Sequence, residues 1–127
     1  MTGWTHNDLE RIGAADELQL ASFKKDGTLR KPVVIWVVRV GDELYVRAYR
    51  GRETAWFLHT QRRPEGRIVV GGVTKDVTFV DVSDDEALNN EIDAAYQSKY
   101  RRYSATYVRP MIAPQARVTT LKLVPSA

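Results

Sequence analysis

The sequence predicts an α+β domain, mainly β: a six-stranded split β-barrel with two or three helices. Three observations predict it. Six short runs, apolar throughout or alternating with period two, are separated by turn signals. One helical pattern follows the third of these runs and another precedes the last. Closing such strands into a barrel removes the exposed edges that an open sheet leaves.

The elements follow in order. Residues 5–14 read as a short helix capped by Thr5, with Asp8 reaching back to the cap and Leu9 and Ile12 as its apolar stripe. Residues 17–23 alternate and form the first strand, which an Asp26-Gly27 turn ends. Residues 33–40, Val-Val-Ile-Trp-Val-Val-Arg-Val, are apolar on both faces, the pattern of a central strand. Pro32 precedes that run, where no ladder amide is lost. Gly41-Asp42 turns the chain into residues 43–49. There Leu44, Val46 and Ala48 share one face, and Tyr45, Arg47 and Tyr49 the other. Residues 52–61 form a helix with Trp56 and Phe57 turned inward. Strands at 67–71 and 73–82 flank Gly71-Gly72, which bends or bulges the chain. Ser83-Asp84-Asp85-Glu86 reads as a capping box opening a long helix over 84–103. Pro110 and Pro114 break the segment after it, and a last strand covers 116–124.

At 127 residues the chain makes one domain, 1–127. It has no cysteine, which excludes a disulfide scaffold and thiolate chemistry. No apolar run reaches the roughly 20 residues that span a bilayer. The N-terminus lacks a basic-then-apolar leader pattern, so the expectation is a cytoplasmic protein with no membrane partner. Charge is uneven. Residues 1–23 hold one arginine against four acids, residues 24–63 hold ten Lys or Arg against four acids, and residues 64–127 hold eight of each. Positive charge thus concentrates around the first hairpins and the helix after them, and such a cluster attracts phosphate.

Few residues carry chemistry. No Walker loop, dinucleotide fingerprint or nucleophile elbow is present. His6 and His59 are far apart in sequence and read as surface or capping residues, so no metal site is expected. Arg50, Gly51 and Arg52 form a basic elbow ahead of a helix. It is either a solvated turn or an anion cradle of guanidinium groups and helix-start amides. Arg47 shares a strand face with Tyr49 that meets solvent or lines a groove. Tyr96, Tyr100, Tyr103 and Tyr107 recur at spacings of four, three and four, either as core packing or as the border of a planar ligand. Nucleic acid is not expected, because aromatics are not interleaved with basic strand residues.

Several segments together resemble a bacterial family of unassigned function with a flavin-reductase-like, FMN-binding split-barrel fold. They are Gly27-Thr-Leu-Arg-Lys-Pro32, Ile35 to Arg47, Arg50-Gly-Arg-Glu-Thr-Ala-Trp56, Gly71-Gly-Val73, Asp76-Val-Thr-Phe79, Ala94-Ala-Tyr96, Lys99-Tyr100 and Thr119-Thr-Leu121. The resemblance extends to pyridoxamine-phosphate oxidases and deazaflavin-dependent nitroreductases, and covers nearly the whole chain. It implies a homodimeric oxidoreductase that holds FMN or a deazaflavin and acts on a small organic substrate. Carried onto this sequence, it implies that Arg30, Lys31, Arg50, Gly51 and Arg52 approach the cofactor phosphate and that Trp56 walls the pocket. Arg47, Tyr49, Tyr96 and Tyr100 would border the ring or substrate. The arginine-rich turn stands where the nitroreductases favour small residues. The alternative is a non-enzymatic split-barrel module that binds a phosphate-bearing ligand through its basic face.

Overall fold

The structure is a computed structural model and describes residues 3–126. Seven strands, β1 (Glu17–Ser22), β2 (Val33–Trp36), β3 (Val38–Val40), β4 (Glu43–Val46), β5 (Glu65–Val70), β6 (Val73–Asp81) and β7 (Leu121–Pro125), form one antiparallel sheet. Their order is β2-β1-β5-β6-β7-β4-β3. The described residues also form helices α1 (His6–Ala14), α2 (Ala55–Arg62), α3 (Glu86–Lys99), α4 (Ala105–Ile112) and α5 (Pro114–Arg117).

The two outermost strands are consecutive in the chain. β2 pairs with β1, β3 pairs with β4, and only Val37 lies between them. The sheet therefore returns on itself at one residue, which makes it a split barrel. This corrects the expectation of one central strand over 33–40 and raises the strand number from six to seven. The both-face apolarity has a different cause. Val33 and Ile35 pack on the barrel interior, while Trp36, Val38 and Val40 pack in a second cluster with Ile92, Tyr96 and Tyr100. The run changes cores as it crosses the seam.

The interior holds Leu18, Leu20, Val37, Leu44, Val46, Ile68, Val77, Phe79, Leu121 and Leu123, closed by Leu9 and Ile12 of α1 and Phe57 of α2. Thr5 caps α1, its side chain accepting from the Asp8 amide at 3.1 Å. Gly71-Gly72 is a two-residue hairpin turn. Val70 pairs with Val73, and both glycines have positive φ, 55° and 80°, as a type I′ turn requires.

Several expectations move: the described residues form five helices instead of two or three, and Pro110 lies inside α4 instead of breaking that segment. The cap of α3 is Asp85, which accepts from the Leu88 amide at 3.0 Å, and Ser83 bonds Asp81 instead of closing a capping box. α3 ends at Lys99, so Tyr103 and Tyr107 leave the stripe that Tyr96 and Tyr100 continue. Residues 114–117 are helical, because Pro114 starts a helix turn without loss of an amide bond, and the last strand begins at Leu121.

Val37 has left one ladder without joining the other, and the side chains of Lys99, the last residue of α3, and of Tyr100, its C-cap, replace its missing strand partners. The Tyr100 hydroxyl accepts from the Val37 amide at 3.1 Å and donates to the Asp16 carbonyl at 2.6 Å. Lys99 Nζ donates to the Val37 carbonyl at 2.6 Å. We expect Tyr100→Phe to cost about 1–3 kcal/mol, because it orphans a buried amide and a carbonyl; urea unfolding measures it.

Burial lowers the Lys99 pKa from its usual value to about 8. The unfolded chain then binds the extra proton between about pH 8 and the ordinary lysine range, so stability should rise with pH across that window. Burial raises the Tyr96 and Tyr100 hydroxyls above their usual range, which reverses the trend above about pH 10. A urea midpoint that rises from pH 7.5 to 9.5 in the wild type and stays flat in Lys99→Met is the expected result.

Candidate functional site

Two cavities adjoin beside β2. The larger, about 560 Å³, is lined by Glu17, all four residues of β2, Arg47, Tyr49, Arg50, Thr54, Trp56, and Thr106, Tyr107, Pro110 and Met111 of α4. The smaller, about 300 Å³, is lined by Leu20, Ser22, Lys24, Arg30, Lys31, Val33, Ala55, Trp56 and His59. Val33 and Trp56 belong to both. One cavity is walled by aromatics, and the other carries three cations and no acid.

Local sequence explains this wall. The turn at Asp26-Gly27 folds 23–30 back on β1, so that the Arg30 amide donates to the Ser22 carbonyl at 2.9 Å. Ala55, Trp56 and His59 follow helical spacing and reach the same cavity from α2. Trp36 lies flat on Tyr100, with ring centroids 3.8 Å apart and planes 2° from parallel. Its ring is thus pre-oriented as a cavity wall. Val34, Tyr49 and Tyr107 are 58%, 49% and 65% exposed, an unusually apolar rim.

The sequence-predicted residues divide. Arg30, Lys31, Tyr49, Arg50 and Trp56 line the joined cavities. Arg50 sits over the Tyr49 ring and donates to its hydroxyl at 2.9 Å. Gly51, with φ of 93°, makes the turn that presents Arg50 but lines neither cavity. Arg52 points away, toward the Val118 carbonyl and the face of Phe57. The elbow does not open the helix directly, because α2 begins at Ala55 after a turn whose Thr54 hydroxyl bonds the Gly51 carbonyl.

Arg47 is a correction. The strand alternation is as expected, but its outer face meets α3 and α4 instead of solvent or ligand. Arg47 is 1% exposed, and all five guanidinium N–H groups are taken. Nε donates to Thr120 Oγ1, Nη1 to Asp93 and the Met111 carbonyl, and Nη2 to the Asn89 carbonyl and Oδ1. Arg47 is also among the residues lining the larger cavity, but it has no donor left for a ligand. Tyr96 and Tyr100 are corrections too. Both are fully buried and line neither cavity. Tyr100 acts through Trp36, and the Tyr96 hydroxyl, against the Arg47 backbone, makes no well-formed hydrogen bond.

Sequence reasoning missed three contributors, and of the tyrosine stripe offered as a ligand border only Tyr107 lines the larger cavity. Trp36 was legible as an aromatic but not as a wall. Ser22 and His59 come together only through the fold. Ser22, Arg30 and His59 line the smaller cavity, and Ser22 Oγ, Arg30 Nε and His59 Nδ1 are buried without hydrogen-bond partners. Burial, then the neighbouring Arg30 and Arg62 charges, lower the His59 pKa, so its imidazole is neutral near pH 7. Another hollow of about 560 Å³, between α1 and α3, borders Lys99, whose amine is already committed to Val37. Among the described residues, no three His, Asp or Glu side chains gather into a metal-ligating group, and no helix is long and apolar enough to cross a membrane.

The sequence profile of a family described as uncharacterized protein conserved in bacteria (DUF2255) matches residues 8–123. The chain belongs to this family. DUF2255 thus has here a split barrel, and solved structures share it. A Listeria innocua protein named as a pyridoxamine 5′-phosphate oxidase superposes with TM-score 0.60 at 14% identity, over 94% of this chain and 90% of that one. An F420 reductase gives 0.53 at 14% identity over 93% of each chain. A FAD and heme binding protein from Mycobacterium smegmatis gives 0.52 at 16% identity, over 96% of this chain and 65% of that one. At these identities the likeness shows the fold. Among curated proteins none matches this DUF2255 chain.

Removing Arg47 should disrupt the fold. Arg47→Met takes a donor from the Met111 carbonyl and from Asn89 Oδ1 and removes one of the two guanidinium partners of Asp93, and should cost about 3–5 kcal/mol. Arg47→Lys should recover little, because an ammonium cannot reproduce a five-donor fork. Chemical denaturation of both variants tests this.

Proposed function

We propose that the protein binds a flavin-type cofactor, FMN or a deazaflavin, across the two joined cavities and acts as an oxidoreductase on a small organic substrate. One observation carries this reading. An aromatic-walled cavity and a basic cavity share Val33 and Trp56, which suits a molecule with a planar ring at one end and an anionic tail at the other. The names of the solved structures sharing the fold, a pyridoxamine 5′-phosphate oxidase, an F420 reductase and a FAD and heme binding protein, support the same class.

The bound ring would supply hydride or electron transfer. The chain's own residues hold and orient it. Trp36, Tyr49, Trp56 and Tyr107 offer flat surfaces, Thr54 a hydroxyl, and Arg30, Lys31 and Arg50 the countercharge. The exposed rim of Val34, Tyr49 and Tyr107 supports a homodimer in which a second copy covers the larger cavity. A sedimentation or light-scattering mass of one chain at micromolar concentration would remove that part of the reading.

The spectrum of freshly purified protein, followed by titration with FMN and with a deazaflavin, tests the cofactor. Arg30→Ala should weaken binding by about 1.5–3 kcal/mol, the worth of a charge-assisted hydrogen bond. Arg52→Ala should leave it unchanged, because that guanidinium faces Val118 and Phe57. The second reading, a non-enzymatic module, rests on the basic cavity alone. It gains if phosphate binds while neither cofactor does.

A further inference from the structure

In a chain without cysteine, indoles and phenols are the side chains that most readily give up a single electron. Three of them make an unbroken run beside the larger cavity. Trp36 lies flat on Tyr100, with centroids 3.8 Å apart, and meets Tyr103 at 5.3 Å. Tyr100 and Tyr103 are 6.1 Å apart. The run has two unlike ends. Trp36 lines the cavity, whereas Tyr103 is 37% exposed at the surface. Tyr100 between them is fully buried. Electron transfer weakens steeply with the gap between π systems, and in this run the rings stack at contact distance or lie close to it.

The hydroxyl groups decide what each ring can hold. A phenol loses an electron readily only when its proton leaves with it, so its hydrogen-bond acceptor matters. Tyr100 donates to the Asp16 backbone carbonyl at 2.6 Å, and a carbonyl is no base. Tyr103 donates to the Asp16 carboxylate, at Oδ2, over 3.0 Å, and a carboxylate takes a proton. Arg102 pairs with the same carboxylate, and its guanidinium lies 4.8 Å over the Tyr103 ring. That cation opposes positive charge on the ring, so Tyr103 keeps an oxidising equivalent only as a neutral radical. Packing accounts for the rings, and phenylalanine at 103 would supply it. It does not account for a terminal phenol held on a carboxylate.

We propose that Trp36, Tyr100 and Tyr103 carry single oxidising equivalents from the larger cavity to the surface. A strong one-electron oxidant in the cavity, of the class of a photoexcited flavin-type ring, takes one electron from the Trp36 indole and is reduced by one electron. Tyr103 passes an electron to Trp36 through the stack, and its proton moves to Asp16. The indole is restored, and a neutral phenoxyl radical stands at the surface. A one-electron donor in solution, such as ascorbate, reduces that radical, and Asp16 returns the proton. The proposal rests on the cofactor reading for its natural oxidant alone.

Pulse radiolysis with the azide radical tests the path without any cofactor, because near neutral pH this radical oxidises indoles ahead of phenols. In the wild type the indolyl absorption should decay as the phenoxyl absorption rises, at a rate independent of protein concentration. Tyr103→Phe keeps the ring and should lose that phase, and Trp36→Phe should lose it too. Trp4→Phe should keep it, because that indole packs on the barrel interior and donates to the Leu123 carbonyl. Asp16→Asn keeps the shape, takes no proton and should slow the phase. A wild type without a concentration-independent phase overturns the path, and so does a phase that survives Tyr103→Phe. Equal rates in wild type and Asp16→Asn overturn the role of Asp16. Transfer in a protein that binds neither FMN nor a deazaflavin keeps the path and removes the cofactor reading. A bound cofactor without transfer does the reverse.

Discussion

The structure depends on one residue's backbone. A sheet whose two edge strands are consecutive in the chain must pass from one edge to the other, and the residue that crosses cannot belong to either ladder. Val37 is that residue, buried completely, with an amide and a carbonyl that burial makes expensive to leave alone. Tyr100 and Lys99 meet both groups from α3. The helix is therefore a structural member of the barrel, and the pair Lys99-Tyr100 at its end is where helix and sheet are pinned. The same tyrosine ring supports Trp36, so closure of the barrel and orientation of a cavity wall share one side chain.

Arg47 does for the loops what Tyr100 does for the seam. From the end of β4 it binds α3 through Asn89 and Asp93, α4 through the Met111 carbonyl, and Thr120 ahead of β7. Asp93 also receives Arg117, so the acid is shared by two guanidinium groups. A buried ion pair of this kind is weak evidence for net stability, since desolvation offsets much of the attraction. Its consequence is geometric. With its five donors committed, Arg47 fixes α4 against β4, and α4 carries Thr106, Tyr107 and Pro110 into the cavity wall.

How far the sequence discloses this varies with the range of the interaction. Local signals are reliable: Thr5 caps α1, Gly71-Gly72 makes its hairpin, and Leu44, Val46 and Ala48 share the interior. The basic segment around Arg30 and Arg50 does gather beside a cavity. What local pattern cannot show is what covers the second face of a strand. Tyr45 and Arg47 look outward by alternation, and only the docking of α3 makes that outside a second core. The same ignorance turns 33–40 into a central strand on paper. A seam strand and a central strand both need two apolar faces, one because it is sandwiched and the other because it passes between cores. Ser22 and His59 gave no signal, because a serine on a strand and a histidine on a helix become notable only when they face each other unpaired.

The location of the cavities follows from the split. β2 pairs with β1 on one side only, so its other edge keeps backbone groups without a strand partner. Natural sheets usually cover or blunt such an edge. Here β2 is four residues long and lined along its whole length by the larger cavity, with α2 on one side and α4 on the other. The opening required by the topology is thus bounded rather than filled.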